Sequence, residues 1–307
     1  MAFCDLHCHS LASDGTDRPR DLPRLAAAAE PAPGLATLAL TDHDTLDGLD
    51  AAAEAAAELG LRFLPGIELS VDPGPVTRSA EAAGRATLHL LGYGVDRSDA
   101  GLQALCRGLR EARNQRTPAI LERLAAQGVR VSEEDVRRAA HADGREDPVI
   151  GRAHIAAALV ERGYVRSVHQ AFRTYLGSGG SAFVRRDALP PEAAVEAVHQ
   201  AGGLVALAHP VQLRLPPDEL EHTVAVLADL GLDALEVVHP DHTAADVERL
   251  QRFADRLGLL PTGGSDYHGS AKSHRLNQQQ VPDVWADALF DALPEPRRAG
   301  AAGVSGS

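Results

Sequence analysis

The chain has 307 residues, 44% of them hydrophobic and 24% charged, with a formal charge of −13. That length fits about two average domains or one large α/β barrel with an insertion, and the composition excludes long disorder and collagen-like structure. The acidic balance opposes binding of duplex DNA or an anionic membrane, but not of a phosphate substrate, because bound cations can reverse a local field. No apolar run reaches the roughly 18 residues of a spanning helix. The opening MAFCDLHCHS has no basic or apolar stretch of a secretory signal. Lys272 is the lone lysine, which disfavours Schiff-base chemistry. Three cysteines, Cys4, Cys8 and Cys106, are too few and too odd a set for a disulfide framework, so a reducing cytoplasm is expected.

In chain order, the apolar runs predict strands at 2–6, 35–41, 61–69, 86–94, 203–208, 233–238 and 258–263. Helices are expected at 21–30, 47–60, 190–201, 217–231 and 243–257. Gly60, Gly202, Gly231 and Gly258 stand where C-terminal cap glycines belong. Strands alternating with helices imply parallel strands joined by crossovers, hence an α/β class and a closed or distorted barrel. No GxGxxG opens a helix after the first strand, which removes the dinucleotide fingerprint. Residues 101–188 break the rhythm, with helices expected at 100–127, 132–141, 151–163 and 167–176. This is too long for a barrel loop and reads as a helical insertion. The barrel then comprises 1–100 and 189–290, and 291–307 is expected to be a disordered tail.

Histidines and carboxylates cluster at the predicted strand ends. His7 and His9 are two apart, so an extended chain points both to one face. Asp14 follows, then His43, Glu68, His89, His209, and a second two-apart pair, Asp266 and His268. A single histidine at a strand end is more often a solvated residue than a ligand, and Asp14 before Gly15 could simply cap a turn. Nine such groups on one rim are another matter. In a parallel barrel the C-terminal strand ends converge, and so many crowded imidazoles and carboxylates are costly to bury without cations. Mixed N/O donors without thiolate suit Mn, Fe or Zn. Cys8, between two donors, is expected to point into the core. His239 and His242 read equally as support for the site or as solvated loop residues.

The segments DLHCHSLASDGT (5–16), LTDHDTLDG (40–48), PGIELS (65–70), HLLGYGVD (89–96), GGLVALAHP (202–210), LEVVHP (235–240) and TGGSDYHG (262–269) resemble the polymerase and histidinol phosphatase (PHP) family. The resemblance covers essentially 1–285. It implies a distorted (β/α)7 barrel and three divalent metals, manganese first, with iron or zinc as alternatives. It implies His7, His9, Glu68 and Asp266 for the first ion; Glu68, His89 and His209 for the second; Asp14, His43 and His268 for the third. A hydroxide between two cations then attacks phosphorus in line. Asp266 is the candidate proton acceptor. A site imidazole, with His209 and His268 the candidates, or a metal-bound water protonates the leaving oxygen, a choice the residues leave open.

GRAHIAAALVERGYV (151–165) and AFRTYLGSGGSAFV (171–184) resemble the insertion of 3′,5′-nucleoside bisphosphate phosphatases and related 5′→3′ exoribonucleases. That subgroup implies a small phosphorylated nucleotide, and short RNA, as substrate. A second phosphate needs a clamp, for which arginine is suited; Arg113, Asn114, Arg116, Arg152 and His154 are the candidates, against a background of 29 arginines that mostly serve solvation. The alternatives are a phosphatase for histidinol phosphate or another small phosphomonoester and, in a different class, a non-catalytic metal-binding module. Amide or lactone hydrolysis is disfavoured, since no barrel lysine is available for carbamylation.

Overall fold

The computed structural model describes residues 2–32, 34–74, 76–78, 88–141, 150–177, 179–184 and 189–294. Each apolar run forms a strand: β1 Phe3–Asp5, β2 Leu35–Leu40, β3 Arg62–Val71, β4 Leu88–Tyr93, β5 Leu204–Leu207, β6 Ala234–Val238 and β7 Leu260–Gly263. Residues 86 and 87, expected to open β4, lie outside the described residues. A two-residue strand that the apolar pattern does not announce, β8 (Val281–Pro282), pairs antiparallel with β1. The sheet order is β7-β6-β5-β4-β3-β2-β1-β8. Past Asp5 the chain turns from β8 to β7: the Leu6 N–H donates to the Gly263 carbonyl at 3.1 Å, and Cys8 bridges to Tyr267. The sheet is thereby almost closed into the distorted barrel expected.

The barrel is not wholly parallel, which corrects one expectation. β4 runs antiparallel to both β3 and β5. An antiparallel pair needs no crossover helix, and among the described residues none separates β3 from β4. The reversal matters for the site. It brings the start of β4, with His89 opposite Ser70, to the end of the barrel where its neighbours finish.

Helices α1 (Leu22–Ala27) and α2 (Leu49–Leu59) fall within the predicted ranges. So do α7 (Pro191–Gln200), α8 (Pro217–Asp229) and α9 (Ala244–Leu257). Gly60 and Gly258 close their helices at φ 66° and 69°, a left-handed backbone that glycine adopts without strain. A further helix, α10 (Asp283–Ala292), runs past the point where the tail was expected, and Leu293 is buried with Tyr93, Leu289 and Phe290 in the core. Residues 295–307 lie outside the described residues. The three cysteines are buried and form no disulfide among the described residues, and Cys8 does face the core, donating from Sγ to the Ala39 carbonyl at 3.1 Å. No helix among the described residues is long and apolar enough to cross a membrane.

Residues 107–188 form a compact unit of their own, the rest of the chain another. The boundary falls within α3 (Ala100–Ala125); α4 (Glu133–His141), α5 (Arg152–Glu161) and α6 (Val168–Ala171) follow, and α6 widens into a π turn over Phe172–Leu176. Their apolar faces meet in a cluster that includes Ile120, Leu124, Val136, Ile155, Leu159 and Leu176. Asp135 is buried at the start of α4, where both its oxygens accept from Arg162 at 2.7 Å and one from Arg138 at 2.6 Å. The Arg162 guanidinium, then the Ser132 N–H and Arg138, hold its carboxyl well below the usual range.

Candidate metal centre

Six strand ends deliver donors to one rim. His7 and His9 follow β1, His43 follows β2, Glu68 lies on β3, His89 opens β4, and His209 follows β5. Asp266 and His268 follow β7, and Asp14 comes from the turn after His9. The loop after β7 must pass close over β1: a Cβ on Gly264 would meet the backbone nitrogen and Cβ of His7 at 2.5 Å. Only glycine fits there. His209 and Asp266 hold φ at 27° and 49°, unusual for residues with side chains and worth about 1–3 kcal/mol of strain each.

Glu68 is the centre. One oxygen lies 2.7 Å from His89 Nδ1 and 3.0 Å from His209 Nε2. The other lies 3.1 Å from His9 Nε2, 3.1 Å from His43 Nδ1 and 3.3 Å from His7 Nε2. Asp266 Oδ1 stands 3.3 Å from His9 Nε2 and 3.5 Å from His268 Nδ1. Asp14 Oδ1 is 3.2 Å from His268 Nε2, and its two oxygens lie 3.9 Å from His9 and His43. All nine residues singled out at the strand ends thus meet in one connected cluster.

The ring nitrogens show what would fit between them. His7 Nδ1 donates to Glu236 Oε1 at 2.9 Å, and His268 Nδ1 donates to the Asp266 carbonyl at 2.8 Å. Each imidazole, when neutral, then turns an Nε2 lone pair into the cluster. His7 Nε2 and His9 Nε2 are 3.2 Å apart, as are His89 Nδ1 and His209 Nε2. Donors on a tetrahedral or octahedral cation with bonds of about 2.1 Å are separated by roughly 3.0–3.4 Å. Among the described residues, the Nδ1 atoms of His9 and His43 are buried without a hydrogen-bond partner. The donor set therefore fits divalent cations. Three groups each converge within 4.8 Å: His7, His9 and Glu68; His43, Glu68 and His89; and His9, Asp14, His43 and His268. In this grouping His9 and His43 are shared as well as Glu68, whereas the resemblance implies sharing of Glu68 alone.

The field calls for positive charge. Burial opposes ionisation of Glu68, but His43, His89 and His7 outweigh it and hold its carboxyl well below the usual range. Burial also opposes a charged His7, yet Glu236 and Glu68 push its pKa well up; His9 reaches about 9 against burial through Asp266 and Glu68. At His43 burial prevails and lowers the pKa to about 3, and His209 is lowered likewise.

Several supporting residues escape sequence reasoning. Glu236, fully buried on β6, accepts from His7 Nδ1 and from the His209 N–H, and so fixes two donors at once. Asp42 accepts from the Ser10 N–H, the Ser10 hydroxyl and the Ser13 hydroxyl at 2.5–2.8 Å, bracing the turn that carries Asp14. Asp5 accepts from the Ser265 N–H at 2.9 Å; burial raises its pKa to about 6. Lys272 Nζ donates to Asp266 Oδ2 at 2.6 Å, while His239, expected with His242 to be either supporting or solvated, is buried 3.6 Å from the same oxygen. The His242 Nδ1 is tied to the Val237 carbonyl at 2.9 Å. Burial lowers the pKa of His242.

The family model of the PHP domain matches residues 5–177. The chain belongs to the PHP family. This PHP protein is 34% identical over 275 residues to a 3′,5′-nucleoside bisphosphate phosphatase of Chromobacterium violaceum, with 90% of each chain covered. It is 33% identical to a 5′-3′ exoribonuclease of Haemophilus influenzae, over 86% of this chain and 89% of the other. It is 37% identical to a phosphoribosyl 1,2-cyclic phosphate 1,2-diphosphodiesterase of Eggerthella lenta, over 86% and 94%. A solved structure described as a metal-dependent phosphoesterase, from Bifidobacterium adolescentis, superposes with a TM-score of 0.80 at 32% identity, covering 94% of this chain and 96% of that one. The PHP protein is accordingly a metal-dependent phosphoesterase of this family.

The candidates for a second phosphate lie in the insertion unit. Arg116 and Arg152 both set their guanidinium over the Phe183 ring, at 5.4 and 5.9 Å from its centroid, and Arg152 also donates to the Leu176 carbonyl at 3.1 Å. Asn114 is exposed on α3. The side chain of Arg113 is outside the described residues. His154 is buried, and its Nδ1 accepts from the Gly151 N–H at 3.1 Å, capping its own helix. That bond takes up one ring nitrogen and leaves the proton on the other.

Proposed function

We propose that this protein removes the 3′-phosphate from 3′,5′-bisphosphonucleotides and also trims short RNA from its 5′ end. The observation that carries the reading is the meeting of five imidazoles on Glu68, a site whose donors fit divalent cations, manganese first. His7, His9, Asp14, His43, Glu68, His89, His209, Asp266 and His268 would hold them. Bound there, the cations supply Lewis acidity toward phosphoryl oxygens and a nucleophilic water at neutral pH.

The chain's own residues do the positioning. Glu236 locks His7 with its lone pair inward and anchors the backbone of His209. His268 commits its Nδ1 proton to the Asp266 carbonyl and, when neutral, offers an Nε2 lone pair. His209 is held neutral by burial. Both therefore act as donors of electron pairs, not as acids for the leaving oxygen. Asp266 stays ionised: burial opposes this, but Lys272, then His239 and His9, outweigh it.

The substrate class rests on the relatives named above and on charge. Residues 107–188 carry 15 arginines against 10 carboxylates, a basic unit in an acidic chain, suited to a second phosphate. The test is phosphate release by metal-loaded protein from pAp and histidinol phosphate, and nucleotide release from a 5′-phosphorylated RNA tetramer, with His7→Ala as control. Turnover of pAp well above histidinol phosphate is expected. The opposite order makes this a small-monoester phosphatase; no hydrolysis at all leaves a metal-binding module.

A further inference from the structure

The cluster around Glu68 uses one oxygen of Asp266; the other faces a different group of residues. Oδ1 stands among His7, His9 and His268. Oδ2 faces Lys272 Nζ at 2.6 Å and His239 Nε2 at 3.6 Å. Neither residue belongs to the nine.

Their hydrogen-bonding capacity is left over. The Lys272 ammonium has three donors, and among the described residues Asp266 Oδ2 is its acceptor. Its side chain is 40% exposed and lies beside the donor cluster. His239 is the reverse case: it is 1% exposed. The Asp241 N–H donates to its Nδ1 at 3.1 Å. A nitrogen that accepts carries no proton, so the proton sits on Nε2. Among the described residues that buried Nε2–H has no hydrogen-bond partner; 3.6 Å to Asp266 is too long for one. A buried donor left unmet is unfavourable, a loss that a bound acceptor would recover. Lys272 and His239 also come from different strand ends, after β7 and β6, and converge on the same carboxylate oxygen.

An anion fits this pair, and the kind of anion follows from the charge. A phosphomonoester is largely dianionic at neutral pH, with three non-bridging oxygens; a diester is a monoanion with two. Cations held by the nine donors would engage phosphoryl oxygens of either ester. The additional charge and the additional oxygen distinguish the monoester. We propose that Lys272 and His239 bind a terminal phosphoryl oxygen, and so set the preference of this site for phosphomonoesters over phosphodiesters. This rests on the phosphoesterase reading above and deepens it, since relatives of this chain carry the names of both a phosphatase and diester-cleaving enzymes.

The test uses the full-length, metal-loaded protein with p-nitrophenyl phosphate and bis(p-nitrophenyl) phosphate, and binding of inorganic phosphate by calorimetry. Lys272→Met is expected to lower kcat/KM on the monoester by about 100-fold and on the diester by less than about 5-fold, with phosphate affinity down about 10-fold or more. Lys272→Arg recovers most of the monoester rate. His239→Gln, which can return an N–H near Nε2, retains more monoester activity than His239→Phe. Metal content, measured by mass spectrometry, stays at the wild-type level. Equal losses on both esters, unchanged phosphate affinity, or metal lost in Lys272→Met each overturn the proposal; the last makes Lys272 a support for Asp266. If wild-type protein cleaves the diester and spares pAp, the bisphosphonucleotide reading fails instead, while the phosphate-binding arm still decides the role of Lys272 and His239.

Discussion

The two units of this chain handle charge in opposite ways. In the barrel unit, imidazoles and carboxylates are buried and converge, each fixed by a neighbour: His7 by Glu236, the Asp14 turn by Asp42, the Asp266 loop by Asp5. Among the described residues of the insertion unit most charged side chains are exposed, with Asp135 a buried exception, and a few arginines, such as Arg116 and Arg152 over Phe183, share a target. The contrast teaches where precision is bought by burial and where affinity comes from number. A buried donor misplaced by an ångström is lost, whereas one guanidinium among many can be replaced by the next.

That contrast is open to direct attack. The largest effect is expected at Glu68: Glu68→Ala removes the carboxylate shared by five imidazoles, and phosphatase activity should fall by at least about 1,000-fold with a matching loss of bound metal. Next comes Glu236→Ala, which touches no substrate; it should weaken metal affinity by about 10–100-fold by freeing His7 and the His209 backbone, read by competition with a chelating dye. Asp42→Ala leaves the Ser10 and Ser13 donors unmet and should lower unfolding free energy by about 1–3 kcal/mol in urea titrations. In the insertion, Arg152→Ala should raise KM for pAp by about 10-fold and leave p-nitrophenyl phosphate nearly unaffected. Equal losses on both substrates would move Arg152 from the second phosphate to the reacting one.

The smallest effect is a pH dependence at Asp135. Its folded pKa is depressed, so its contribution to stability is present above the unfolded value of about 3.9 and fades as pH falls below it. The melting temperature of Asp135→Asn should lie below wild type at neutral pH, and the gap should narrow toward about pH 3.

The donor cluster was legible in the sequence because strand ends repeat a short pattern. Period-two spacing sends His7 with His9, and Asp266 with His268, to one side, and a barrel gathers strand ends whatever lies between them. Strand direction was not legible, since Leu88–Tyr93 is an apolar run in either orientation; only its pairing with β3 and β5 reveals the reversal. Two residues of β8 carry no periodicity at all. Glu236 and Lys272 look like ordinary charged residues until β6 and the loop after β7 put them against His7 and Asp266. The pattern LEVVH at 235–239 does hold a clue to Glu236, an acidic residue inside an otherwise apolar strand. The arginines offered no such clue, because nothing in a helix sequence says which of many guanidinium groups will share a ring.

The left-handed backbone at His209 and Asp266 has a consequence for how the molecule loosens. Both residues hold unfavourable torsions only while the groups around them stay packed. Stripping the cluster with a chelator removes that restraint first at these two joints, so amide exchange should quicken at 208–209 and 264–268 while the central strands remain protected. The rim would then be the barrel's earliest point of opening, and ion loading would tighten it.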